Sequence, residues 1–279
     1  MKKNILLPGA AIAAGAVGFA LRKWELATAF EPDTGLAISG APAAYVLAAW
    51  SALVVIALIF LCRGEKESLP YDQAFRAEGC SAYITASVLS GFLLLIGAGV
   101  EAMTYPVLIQ TARAESGSGF SRLALVLPLL RILLCILGFL CVLLISANLY
   151  RGRGKGKEHL PLLGLCVLFC VWLISDYQSR AVDPVVLDYV YEIFAICASL
   201  LGLYEMATYS FQTGKPRRTI VLMLLGAYFS LVTLADRHSF ADMTRYGFAI
   251  LFLTAHAALL LGEHHAGEVP AETEAEPHA

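Results

Sequence analysis

Eight apolar runs, each about as long as a bilayer is thick, decide what this chain can become. Crossing the hydrocarbon takes about 20 mainly apolar residues. Runs of that length cover approximately 4–21, 41–62, 80–102, 123–149, 160–178, 185–211, 219–236 and 245–262, with short connections between them. Of the 279 residues 58% are hydrophobic and only 15% charged, and the mean hydropathy is +0.71. A soluble domain carries about 25% charge. One core cannot bury so much apolar surface, so lipid is the expected solvent. The expected fold is an all-α polytopic transmembrane helical bundle of eight spans, forming a single domain over 1–262. Residues 263–279 hold five glutamates, two prolines and three histidines, the composition of a disordered, solvated acidic tail.

The first run follows Met1, Lys2 and Lys3 and also has the form of a secretory signal, with a basic start and small residues before Leu21. Cleavage there would leave seven spans. Ala11 with Gly15 and Ala14 with Gly18 are small-xxx-small pairs suited to close helix packing, which favours a retained helix.

Sidedness comes from lysine and arginine. Arg151–Lys157 reads RGRGKGK, between the fourth and fifth runs, and such a cluster marks the cytoplasmic face. If it lies inside, so do Lys2, Lys3, Arg63, Lys66, Arg76, Lys215, Arg217 and Arg218; the other face holds Arg22, Lys23, Arg113, Arg122, Arg180, Arg237 and Arg245. Twelve against seven predicts both termini inside, in a plasma membrane.

Several functions are excluded or disfavoured. A net charge of -2 lacks the basic stripe of a nucleic-acid binder. Five of the seven cysteines lie in apolar runs, where cysteine behaves as a small hydrophobe. Cys166 and Cys170 lack the further ligands that a structural metal site needs, so no metal or cofactor is expected. The chain has no H-E-x-x-H and no G-x-S-x-G. Asp236-Arg237-His238 is the one compact acid–arginine–histidine trio, and no catalytic residue is assigned.

Charges inside spans cost about 2.5–3.5 kcal/mol each on the insertion scale and are default site candidates. Arg131 lies eight residues into the fourth run and Glu192 seven into the sixth, roughly 10–12 Å below the outer face for both. Asp188 is one turn above Glu192. Arg131, Asp188 and Glu192 are therefore the candidate residues for binding a cation, an amine or a proton, with Arg131 biasing the ionisation of the two acids. The competing reading is an Arg131–Glu192 pair that fixes helix register. Glu101, Asp176 and Asp236 end three runs on the same face and read as headgroup-level acids. Near the other face, Glu205 and His256 lie at equal depth, which allows a Glu–His hydrogen bond of the kind found in proton relays.

Trp24–Leu36, WELATAFEPDTGL, directly after the Gly/Ala-rich first run, resembles a segment of uncharacterised multi-pass membrane proteins of gut Firmicutes. The resemblance covers about the first two spans. It implies a Gram-positive plasma membrane and carries over no activity and no functional residue.

The expectation is thus a multi-pass protein for small solutes or ions, a permease or the membrane subunit of a transport system. A membrane sensor or interaction component is the alternative and a lipid-active enzyme the third. The expected partners are the bilayer and a small cationic solute or proton. A permease requires a polar cavity that reaches toward mid-membrane and contains Glu192 and Asp188; sealed side chains favour the sensor.

Overall fold

The architecture was obtained as a computed structural model that describes residues 3–31, 34, 36–64, 70–115, 122–152, 159–180 and 185–266. Its long helices are α1 (Lys3–Thr28), α2 (Pro42–Leu61), α4 (Ser81–Glu115), α5 (Arg122–Tyr150), α6 (His159–Arg180), α7 (Val186–Thr208), α8 (Pro216–Thr233) and α9 (Phe240–Ala266). A one-turn helix, α3 (Tyr71–Ala74), and a 3-10 turn at Tyr209–Phe211 complete the set among the described residues. Most of RGRGKGK and the end of the acidic tail lie outside the described residues.

Seven of these helices, all but α3 and α8, are long and apolar enough to cross a membrane. This is an integral, multi-pass membrane protein. The remaining long helix, α8, has only 18 residues and starts with Pro216, Arg217 and Arg218, yet 14 of its residues are buried. Its surroundings are other helices rather than lipid, so it needs less hydropathy than a lipid-facing span. Around it pack α1, α7 and α9; α4, α5 and α6 close the other side against α9 and α7, and α2 sits at the rim on α1.

Close packing of α1 on α8 depends on the small residues noted in the sequence. A Cβ at Gly15 would sit 2.7 Å from Leu231 Cδ1, and one at Gly18 would sit 2.6 Å from Val232 Cγ2. Both helices could not approach this closely with a larger residue at either site. Trp50 of α2 donates from Nε1 to the Ala14 carbonyl at 3.2 Å, which fastens the rim helix to α1.

Several helices run past their expected ends: α1 reaches Thr28 rather than 21, which puts Arg22 and Glu25 on it, and α9 reaches Ala266 rather than 262. α4 continues through Pro106 to Glu115 rather than stopping near 102, and α6 extends to Arg180 rather than 178. The α6 difference matters, because it turns Arg180 from a loop residue into one on a helix wall. Since consecutive long helices alternate in direction, the ends of α1, α4, α6 and α8 meet the starts of α2, α5, α7 and α9. That end, expected outside from the sequence, is called the upper end below.

Candidate functional site

Charged residues collect at the upper end in three linked groups. The first is centred on Arg22, which is 0% exposed. Its Nε donates to Asp236 Oδ1 at 2.7 Å and its Nη1 to Glu25 Oε2 at 2.7 Å. It also donates to the carbonyls of Leu187 at 3.1 Å and Asp188 at 2.6 Å and lies over the Tyr191 ring. A single guanidinium therefore joins α1, the start of α7 and the α8–α9 turn. A planar cation with five donors suits this many directions of contact.

The second group is centred on Glu101 of α4. Arg131 of α5 and Arg245 of α9 both bond to it, the latter at 2.7 Å. Arg131 also donates to Ser175 at 3.2 Å. Arg245 continues to Asp242 and lies over the Trp172 ring at 5.2 Å.

The third group lies between these two. Glu192 of α7 is 3% exposed. Its Oε2 accepts from Arg180 at 3.0 Å, and its Oε1 faces His238 Nδ1 at 3.4 Å and the Tyr246 hydroxyl at 3.5 Å. The Asp176 carboxyl neighbours Glu192, and its Oδ2 is buried with no hydrogen-bond partner among the described residues. Two carboxylates offer only acceptors, so a bond between such neighbours needs a proton on one.

His238 faces Glu192 from the other side. Its Nε2 donates to the Thr233 carbonyl at 2.7 Å, and its Nδ1 faces Glu192. Both ring nitrogens thus face acceptors, the arrangement that suits the imidazolium. Burial alone would lower its pKa, but the Glu192 hydrogen bond and charge, with help from Thr233, outweigh that and raise it above the ordinary histidine value.

Above the buried layer opens a cavity of about 790 Å3. Lys23 of α1, Arg180, Asp188, Asp236 and Arg237 supply its charged wall, with Phe30 and Leu36 from the α1–α2 connection. Among the described residues, Arg180 is the one side chain that lines this cavity and also holds the buried Glu192. It also reaches Asp188 at 3.4 Å.

The floor of the layer is aromatic. Trp172 packs on Tyr246 with ring centroids 4.8 Å apart, and Tyr246 on His238 at 4.9 Å. Phe169, Phe248 and Phe252 continue the stack toward the lower end, where Phe252 meets His256 at 4.1 Å.

Of the sequence-derived candidates, Glu192, Glu205 and His256 are buried, Asp188 lines the cavity and Arg131 is half-buried away from it, with different partners from those expected. Arg131 does not neutralise Glu192 or Asp188: it pairs with Glu101, because α5 packs beside α4 and α6 and not beside α7. Arg180 is the guanidinium that meets both acids. Glu101, Asp176 and Asp236, read from the sequence as headgroup-level acids, have side chains that lie inside the protein. Nor do Glu205 and His256 form a relay pair. Glu205 bonds to Arg218 at 2.9 Å. His256 donates from Nδ1 to the Phe252 carbonyl at 2.8 Å and takes the Tyr83 hydroxyl on Nε2 at 3.0 Å, so both ring nitrogens are occupied.

Sequence reasoning missed Arg22, Arg180 and His238, having placed each in or beside an outer loop. Asp236, Arg237 and His238 form the compact trio of the sequence. These three lie in the turn after α8, where Asp236 and His238 both face inward. No family model matches the chain, and neither a curated protein nor a solved structure resembles it significantly.

Proposed function

We propose that this membrane protein is a solute-responsive component. The upper cavity captures a small zwitterion, and Arg180 couples that capture to the proton held by Asp176, Glu192 and His238. The observation that carries this reading is the double engagement of Arg180, at the cavity wall and on the buried carboxylate. A solute carboxylate is suited to Lys23, Arg180 and Arg237, since guanidinium pairs with carboxylate bidentately. An ammonium is suited to Asp188, whose side chain is 40% exposed. When the solute draws on Arg180, Glu192 loses part of its charge compensation and depends more on His238. We also assign the upper end to the outside, from the arginine and lysine asymmetry.

A proton or cation permease using Arg131, Asp188 and Glu192 is the second reading. It needs a polar route past the aromatic floor, and the cavity wall does not include Glu192. The sealed floor favours sensing over passage.

The test uses purified protein in vesicles loaded with a pH-sensitive dye. After an external pH jump, wild type and Glu192→Gln should both equilibrate no faster than protein-free vesicles. In the same preparation, a panel of free amino acids should raise the melting temperature of wild type and leave Arg180→Gln unmoved. Proton flux through wild type that is lost in Glu192→Gln would replace the sensor with the permease.

A further inference from the structure

At the opposite end of the molecule, α2 leans on α1 and leaves a groove between itself and α7, with α8 as its floor. Its inner portion, about 420 Å3, runs past Ser51, Ala52, Phe194 and Phe229; its outer portion, about 570 Å3, runs past Ile59 to Lys215, Arg217 and Arg218. Leu201 and Leu222 belong to both portions, so the two are one continuous channel. We propose that this groove is a binding site for one anionic phospholipid of the leaflet on the Lys215 side.

Length is the first argument. From Arg218 to Phe229 is 11 residues of α8, or about 16 Å at 1.5 Å per residue. Half of a hydrocarbon core about 30 Å thick is about 15 Å. The groove therefore spans one leaflet and stops near mid-membrane. There the buried Ser51–Tyr228 hydrogen bond, 2.9 Å long, and the Tyr191–Phe194–Phe229 ring cluster close it. An acyl chain fits that shape and depth.

Charge is the second argument. Three cations within four residues surround the mouth. Glu205, bound to Arg218, is the one acid bonded to them among the described residues. Arg217 donates to the Ile59 carbonyl at 3.3 Å, which ties the end of α2 to the start of α8 across the opening. Two positive charges thus remain beyond that acid at headgroup level, and an anionic headgroup complements them. The walls below are apolar and open: Phe194 is 48% exposed and Leu201 43%. A basic mouth over an apolar chain-length slot excludes a free soluble anion as the best fit, because only a lipid fills both.

Native mass spectrometry of the full chain tests this, using micelles that hold phosphatidylglycerol and phosphatidylcholine in equal amounts. Wild type should retain one phosphatidylglycerol in clear preference to phosphatidylcholine. Each cation near a charged surface contributes about fivefold in affinity, so Lys215→Gln combined with Arg217→Gln should reduce the preference by about 25-fold. Ala52→Trp fills the slot without touching charge, and should lower retention of both lipids alike. That second variant, at an exposed position of the rim helix, keeps the test decisive if the double variant fails to fold. Equal retention of the two lipids by wild type, preference that survives the double substitution, or retention unaffected by Ala52→Trp would each overturn the proposal.

Discussion

Arg22→Met is the substitution with the largest consequence for the fold. The guanidinium is fully buried and compensates two carboxylates, Glu25 and Asp236, while also holding two carbonyls at the start of α7. Removing one partner of a buried ion pair costs about 3–5 kcal/mol, mostly because the other charge stays buried. For a chain of this size each kcal/mol corresponds to roughly 2–4 °C in Tm, so the expected loss is roughly 6–20 °C. The same logic predicts recovery when the orphaned charges are removed too. Arg22→Met with Glu25→Gln and Asp236→Asn should regain most of the loss, whereas Glu25→Gln and Asp236→Asn alone should destabilise by stranding the arginine. Fluorescence-monitored melting in detergent micelles, over all four combinations, reads the coupling as a mutant cycle. Arg22→Met melting within about 1 °C of wild type, or a triple variant no better than the single, would refute the reasoning.

Other consequences follow from particular contacts. Gly18→Ala should cost about 1–3 kcal/mol by overpacking, since its Cβ would meet Val232 at 2.6 Å, while Gly9→Ala, with open space around it, should be near neutral in the same melt. Tyr83→Phe should cost about 1–3 kcal/mol, because it leaves the buried His256 Nε2 without its donor. His238 has a raised pKa in the folded protein. Its stabilising contribution is therefore full below the ordinary histidine value of about 6.5 and is lost as pH rises through the higher folded value. Melting temperature should fall over that window in wild type, and the fall should flatten in His238→Gln.

The helices were legible in the sequence because a bilayer imposes one length and one composition on every lipid-facing span. α8 was legible as an apolar run, but its central position was not, since burial by protein and burial by lipid leave similar patterns. The layer of charge was legible as depth: Arg131, Asp188 and Glu192 share one end of the bundle, as their distance along each run implies. Pairing was not. Depth follows from residue number, whereas pairing depends on which helices are neighbours and how each is turned about its axis. Arg131 met Glu101 and not Glu192 because α5 neighbours α4 and α6. Arg180 was hidden by two residues of extra helix, and His238 by a turn that a helical reading could not anticipate. The Glu205–His256 pairing failed for the same reason: equal depth on α7 and α9 leaves Arg218 and Tyr83 closer to the respective groups.

On the proposed function, a buried proton site at Glu192, Asp176 and His238 answers to Arg180. Trp172 reports on it through Tyr246, which touches both Trp172 and His238. With Trp24→Phe and Trp50→Phe in place, Trp172 becomes the sole indole, and its emission can be followed from pH 5 to 9. A single titration step is expected, with a midpoint that moves to higher pH in Arg180→Gln, since loss of a nearby cation favours protonation, and that disappears in His238→Gln. A flat trace, or a step unaffected by both substitutions, would contradict the proposed function.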